Sequence, residues 1–361
     1  MDTYNSRRSC QPPAFSQSRP LSAMSTTDQH LELLITNTIR RALAAGALQP
    51  IATEQLVIEE HGIPFVVRWV SELARKRMQA VNASGRRPDY NPFLPYDTTL
   101  EVDQLGQHHV ALLNKYPVMD RHLLIVTRAY EEQTDPLTSA DLAALWSLIE
   151  RLGGMGFCNG GQLAGASQHH KHLQWIPADP EDPSSIPIAA AVRSAQPERT
   201  PEAVPAFPFR HAFRRLDDIA AQPRDKAGDT LQACFTTLCE GLGMQARTGP
   251  LPPYNLLLTR SWMLLVPRTR ESWQRMSINS LGFAGLLFVP EKSQIDAVRQ
   301  AGPLSILSSV TGLEESQAGV LKPLAEKQVV QAAADRYGHA TRHTSDSASR
   351  PRKTPGTPDT A

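Results

Sequence analysis

The densest polar constellation in the chain is Gly165-Ala166-Ser167-Gln168-His169-His170-Lys171-His172-Leu173-Gln174-Trp175-Ile176. Side chains of an extended strand alternate between faces, so this run places His170, His172 and Gln174 on one face and His169, Lys171, Leu173 and Trp175 on the other. Successive residues on one face lie about 6.6 Å apart, at roughly 3.3 Å of rise per residue. Two imidazoles and an amide can therefore line up along a single substrate. Such a cluster could bind a metal, sit satisfied at a surface, or handle phosphate. Two glycine groups, Gly153-Gly154 with Gly156 and Gly160-Gly161 with Gly165, flank it. Glycine turns offer backbone N–H groups to phosphate oxygens without side-chain obstruction. Ser167 adds a hydroxyl donor, and the run holds no carboxylate or cysteine to complete a metal shell. The residue types favour phosphate chemistry, because a neutral imidazole whose second nitrogen is fixed by a hydrogen bond is a competent nucleophile toward phosphorus.

The elements that must position this row can be read from periodicity. Ser25-Thr26-Thr27-Asp28 offers helix caps, and Leu31, Leu34, Ile35, Ile39 and Leu43 follow at helical spacing until Gly46 and Pro50. Ile63 to Trp69 reads as a strand, followed by the basic cluster Arg75-Lys76-Arg77. The prolines of Asn91-Pro-Phe-Leu-Pro-Tyr96 forbid regular structure, so that segment is an ordered turn or extended wall. His109 to Lys115 and His122 to Arg128 read as a strand pair, and Thr138 or Ser139 caps a helix over Asp141 to Leu152. Prolines recur from Pro177 to Pro208, marking an irregular connection outside the core. Beyond it come a helix over Leu231 to Leu242, with Cys234 and Cys239 as small buried residues, and strands at Tyr254 to Thr259 and Trp262 to Pro267. This order predicts an α+β protein with two halves of similar architecture. The expected boundaries are a disordered extension over 1–24, a first half over 25–178, the connection over 179–208, a second half over 209–335 and a disordered tail over 336–361.

Composition narrows the partners. Lys plus Arg number 37 against 36 Asp plus Glu, a formal charge of +1, so bulk charge does not drive binding to nucleic acid or acidic lipid. Four cysteines without a C-x-x-C pair give neither a disulfide framework nor a cysteine zinc site. No apolar run is long enough to span a membrane, and the first thirty or so residues lack a secretory core. A soluble cytoplasmic protein is expected.

The run Gly165 to Gln174 resembles the signature of the diadenosine tetraphosphate (Ap4A) phosphorylases, or ATP adenylyltransferases, of the histidine triad superfamily. Where the superfamily has three alternate histidines, this chain has His170, His172 and Gln174, and glutamine in third place resembles the nucleotidyltransferase branch. Further segments look like the family in the same order. They are Phe65-Val-Val-Arg68 with Leu73-Ala-Arg-Lys76, Asn91-Pro-Phe-Leu-Pro95, Leu113-Asn-Lys-Tyr-Pro117, His122-Leu-Leu-Ile-Val-Thr127, Asn255-Leu-Leu-Leu-Thr259 with Trp262, and Asn279-Ser-Leu-Gly-Phe-Ala-Gly285. The resemblance implies a histidine triad-like α+β fold, its two halves each an antiparallel sheet with packed helices, forming a pseudo-dimer in one chain. It also implies that Ap4A and phosphate give ATP and ADP, reversibly, through an adenylyl-histidine.

Carried over by residue, His172 matches the nucleophile and Gln174 the contact to the transferred phosphate, with His170 beside them in the catalytic motif. Asn159, Gly165, Ala166, Ser167 and Gln168 match the nucleotide and phosphate cradle. Lys76, Asn114 and Lys115 match substrate contacts, and Asn279, Ser280, Leu281 and Leu286 match positions from the second half. The family leads us to expect a lysine where Pro290 stands, with Lys292 two residues on, and His169 receives no role. The resemblance implies no required cofactor and no metal site, although magnesium can accompany the nucleotide. A monomer is expected. The alternatives are a related transferase or hydrolase using sulfate, water or a sugar phosphate as acceptor, and a non-catalytic dinucleoside polyphosphate sensor. A uridylyltransferase is disfavoured because Lys171 stands where that branch has proline.

Overall fold

Leu31, Ile35 and Ala42 recur on one side of helix α1 (Thr26–Ala44) and are fully buried, so the helical spacing read from the sequence is the face that packs. This computed structural model describes residues 26–71, 90–179, 182, 185–194, 204–216, 219, 224–244 and 250–312. The extension over 1–24, the Arg75-Lys76-Arg77 cluster and the tail over 336–361 lie outside the described residues, as does part of the connection over 179–208. The strands are β1 (Thr53–Glu60), β2 (Ile63–Val70), β3 (Glu101–Leu105), β4 (His109–Leu113), β5 (Leu123–Thr127), β6 (Met155–Gly160), β7 (His172–Ile176), β8 (Ala212–Arg215), β9 (Tyr254–Leu258), β10 (Trp262–Pro267), β11 (Ser272–Trp273), β12 (Met276–Ser277) and β13 (Leu286–Val289). The further helices are α2 (Ser139–Leu152), α3 (Ala189–Arg193), α4 (Arg224–Gly241), α5 (Ser280–Phe283), α6 (Ile295–Ala301) and α7 (Pro303–Ser309).

Eight strands form one antiparallel sheet in the order β3-β4-β5-β7-β6-β9-β10-β8. The first half supplies β3 to β7 and the second β8 to β10. They join where β6 pairs with β9, from Gly156 opposite Leu258 to Gly160 opposite Tyr254. The two antiparallel halves are thus fused edge to edge. A second sheet, β1-β2-β13, also draws on both halves, because β13 runs parallel to β2 with Leu286 opposite Val66.

Strand alternation sends the two faces of the large sheet to two cores. One face, including Leu173 and Trp175, packs with α1, α2 and α4. Gly156 lets α2 come close, since a Cβ there would stand 2.6 Å from Leu145. The other face, including Phe157, Ile176 and Leu264, packs with the small sheet and α5 to α7. Thr138 caps α2, its hydroxyl accepting the Asp141 N–H while Asp141 accepts the Thr138 N–H, a reciprocal cap of the kind that stabilises a helix start by about 1 kcal/mol.

Three expectations need correction. The connection is partly core: Ile188 and Val192, one turn apart at α3, are buried, as are Val204 and Phe207. Regular strand in the histidine run begins at His172, although a bridge from His170 to Glu132 extends the alternation back to that residue. The Gly153-Gly154 group is a helix-to-strand turn, with the Gly153 N–H closing α2 on Ile149, so only the group from Gly160 to Gly165 reaches the histidines' cavity. Among the described residues no helix is long and apolar enough to cross a membrane.

Candidate active site

A cavity of about 450 Å³ opens between the large sheet and the small one. Asn114, Asn159, Gly165, Ser167, His172 and Gln174 line it from the first half, and Asn279, Leu281, Leu286 and Pro290 from the second. Residues far apart in the sequence are brought together by the strand order. Val126 pairs with His172 and Leu124 with Gln174, which places the β5 residues 124 and 126, with His122 just ahead of the strand, beside the β7 residues 172 and 174 on one face.

His172 is buried, and its Nδ1 lies 2.9 Å from the carbonyl oxygen of His170. A carbonyl only accepts, so Nδ1 carries the proton and the Nε2 lone pair is unprotonated on the ring that lines the cavity. Burial pulls its pKa down to about 4; the bond to His170 opposes that shift and the neighbouring His170 ring adds to it. The imidazole is neutral near pH 7, the form required of a nucleophile. Gln133 locks the peptide beneath it: Oε1 accepts the His172 N–H at 2.8 Å, while Nε2 donates to the carbonyls of Asn159 at 2.8 Å and His172 at 3.1 Å.

His170 has a different role from the one expected. Its Nε2 lies 2.7 Å from the Thr127 carbonyl oxygen and 2.9 Å from the Thr127 hydroxyl, and its Nδ1 lies 3.1 Å from Asn91 Nδ2. Both ring nitrogens are used inside the protein and the ring does not line the cavity. It orients His172 through its carbonyl. Phe93 of the proline-bounded segment packs its ring 5.6 Å from that of His170 and 5.4 Å from that of His172, so the segment read as a wall covers both histidines. On the opposite sheet face, burial would pull Lys171 down, but Glu131 at 2.8 Å and Asp141 at 3.4 Å outweigh it and raise its pKa. Lys171 therefore anchors the strand from behind.

The second half contributes through a buried polar chain. Asn159 Oδ1 accepts from Asn255 Nδ2 at 2.9 Å, the Ser280 N–H at 2.9 Å and the Ser280 hydroxyl at 2.7 Å. Its oxygen is consumed, which leaves the amide N–H groups of a residue that lines the cavity. Arg268, buried behind it, donates to Asn255 Oδ1 at 2.6 Å, and burial lowers its pKa to about 10. Ser280, expected as a substrate contact, lies in this interior network and off the cavity lining.

Gly165 is one of the places where the two halves touch. Its φ is +86°, and a Cβ there would stand 2.8 Å from Asn279 Cβ, so only glycine fits both the turn and the contact. Ser167 lines the main cavity and, with Ala166, Gln168 and His169, a second one of about 190 Å³. Lys115 does not line the main cavity; its ammonium sits 5.8 Å from the Tyr116 ring centroid. Lys76 lies outside the described residues. Pro290 lines the cavity, while Lys292 stacks over Trp69 at 5.6 Å and does not replace the expected lysine.

The cavity also holds residues that the sequence did not single out. Arg275 brings a cation to the lining from the tight β11–β12 turn, where it and Gln274 both adopt positive φ. His122 lines it beside Gln174. Arg275 has no local signal, and His122 could have been found only from the β5–β7 register. Among the described residues no group of three His, Cys, Asp or Glu side chains is gathered to hold a metal ion.

Fold and site together define a histidine triad-like protein of the nucleotidyltransferase class. The family profile of the Ap4A phosphorylase N-terminal domain matches residues 22–194, and that of the ATP adenylyltransferase C-terminal domain matches residues 205–312. The chain belongs to the Ap4A phosphorylase family and is an enzyme of that family. It is 28% identical over 257 residues to diadenosine 5',5'''-P1,P4-tetraphosphate phosphorylase 2 of Saccharomyces cerevisiae, covering 64% of this chain and 78% of that protein. Protein APA1 of the same yeast is 26% identical over 277 residues, covering 70% of this chain and 85% of that protein. The crystal structure of yeast Ap4A phosphorylase Apa2 in complex with Ap4A superposes with a TM-score of 0.64 at 24% identity, over 78% of this chain and 97% of that one, and shares the fold.

Proposed function

We propose that the protein phosphorolyses Ap4A to ATP and ADP, reversibly, by two in-line displacements at one phosphorus. His172 Nε2 attacks the phosphorus of an adenylyl group; the N–P bond forms, the P–O bond to the rest of the substrate breaks, and ATP leaves as an anion. Phosphate then attacks the same phosphorus, the N–P bond breaks, ADP departs, and His172 returns to its neutral form. The observation that carries this reading is the His172 ring, with Nδ1–H held by the His170 carbonyl and the Nε2 lone pair available to a cavity lined by amide and hydroxyl donors.

Ser167, Gln174 and Asn159 supply donors to the equatorial oxygens, and Arg275 a cation at the rim. A nucleotide phosphate leaves readily as an anion, so no carboxylic acid is needed to protonate it. The reaction requires no resident cofactor; magnesium accompanies the polyphosphate and screens its charge. We further propose that the protein works as a cytoplasmic monomer, a reading supported by a single chain that supplies both walls of the cavity.

Incubating the purified protein with Ap4A, with and without phosphate, and separating the nucleotides tests the reading. Phosphate-dependent formation of ATP and ADP in equal amounts is expected. ATP plus AMP without phosphate would make it a hydrolase, and tight binding without turnover a sensor.

A further inference from the structure

Gln174 needs a defined orientation to serve a phosphate, because one end of its amide donates and the other repels an anion. The structure fixes which end faces the cavity, starting from a group that has no choice. The backbone N–H of Tyr116 can only donate, and it lies 3.2 Å from Asn114 Oδ1. That contact assigns the Asn114 oxygen and turns its Nδ2 toward His122 Nδ1, 3.2 Å away. His122 Nδ1 must then accept, so its proton resides on Nε2, which lies 2.8 Å from Gln174 Oε1. The Gln174 oxygen is consumed, and its NH2 group remains for the cavity that Gln174 lines.

We propose that His122 is a positioning residue for the transfer reaction, holding the Gln174 amide with its N–H donors aimed at the transferred phosphate through the one-way chain from Tyr116 through Asn114. This rests on the phosphoryl-transfer reading above. The chain requires a neutral His122. Its ring is buried, and burial pulls the pKa down to about 4, opposed by the bond to Gln174 and assisted by His172. Without His122 the Gln174 amide could rotate and present its oxygen to the phosphate. The loss would fall on the transition state, where charge on the phosphate oxygens is greatest, more than on ground-state binding.

The test measures single-turnover adenylylation with Ap4A and the KM and kcat of phosphorolysis for His122→Leu, His122→Gln and Gln174→Ala, alone and combined. A glutamine at 122 can accept from Asn114 and donate to Gln174, so His122→Gln should stay within about 10-fold of the parent. His122→Leu should lower the adenylylation rate by about 10²-fold with little change in KM. In the Gln174→Ala background His122→Leu should cost almost nothing more. Should His122→Leu not fold, Asn114→Ala interrupts the same chain and enters the same cycle. Equal losses for leucine and glutamine at 122, or full additivity with Gln174→Ala, would overturn the proposal. If the parent itself shows no adenylylation, the phosphoryl-transfer reading fails, which is a separate outcome.

Discussion

Two asparagine–histidine pairs in this protein are wired alike and end differently. Asn91 accepts the Phe93 N–H at 2.9 Å and approaches His170 Nδ1; Asn114 accepts the Tyr116 N–H and approaches His122 Nδ1. In each, an asparagine whose oxygen is fixed by the N–H two residues later sets the histidine tautomer. The His170 pair then terminates on the Thr127 backbone, and the His170 carbonyl holds the His172 ring. The His122 pair terminates on a side chain, Gln174. Main-chain termination gives a fixed scaffold, whereas side-chain termination gives an adjustable donor. Disturbing the first should therefore act through stability, and disturbing the second through rate.

The largest effect is expected where the first pair delivers its product. His172→Ala should abolish transfer, lowering kcat on the order of 10⁴-fold or more in steady-state phosphorolysis, as loss of a nucleophile does elsewhere. Retained turnover would separate the His170 scaffold from the chemistry altogether.

Much of this geometry was legible in the sequence because it is local. The alternation of His170, His172 and Gln174, the Thr138 cap and the β4–β5 and β9–β10 pairs all follow from spacing within one segment. The His122 contact was not, since it depends on the β5–β7 register, which sets Leu124 opposite Gln174 and so brings His122, just ahead of β5, within reach of it. The parallel pairing of β2 with β13 joins Val66 to Leu286 over a separation that no periodicity reports. Strand β1 escaped notice because Glu54 and Glu60 share its inward face with Leu56 and Ile58, and Val57 is exposed on the other, which breaks the alternation that marks a half-buried strand. Gln133, which clamps the His172 peptide, sits in a turn with no pattern of its own.

A sharper contrast comes from Asn91→Leu. It leaves the buried Nδ1 of His170 without a donor, which should lower stability by about 1–3 kcal/mol in denaturant unfolding. Its kcat should remain within about 10-fold of the parent, because the His170 carbonyl is still in place. A large loss of kcat at unchanged stability would mean that the two pairs do not differ as described.

A pH dependence adds to these effects. His122 and His172 both fall from an ordinary 6.5 to about 4 in the folded protein. On acidification the unfolded chain takes up these protons first, so stability is undiminished above 6.5 and declines as pH falls toward 4. Each histidine contributes about 1.4 kcal/mol per unit of pH across that window. Urea midpoints measured through the window should drop accordingly, and less so in His122→Gln.

In the proposed mechanism the His172 Nε2 carries AMP between donor and acceptor. Rapid mixing of the protein with adenine-labelled Ap4A in the absence of phosphate, quenched in alkali and mapped by peptide, tests it directly. Stoichiometric, acid-labile AMP on His172 that phosphate converts to ADP is expected; label on another residue, or phosphorolysis with no labelled protein at any time, would contradict this mechanism.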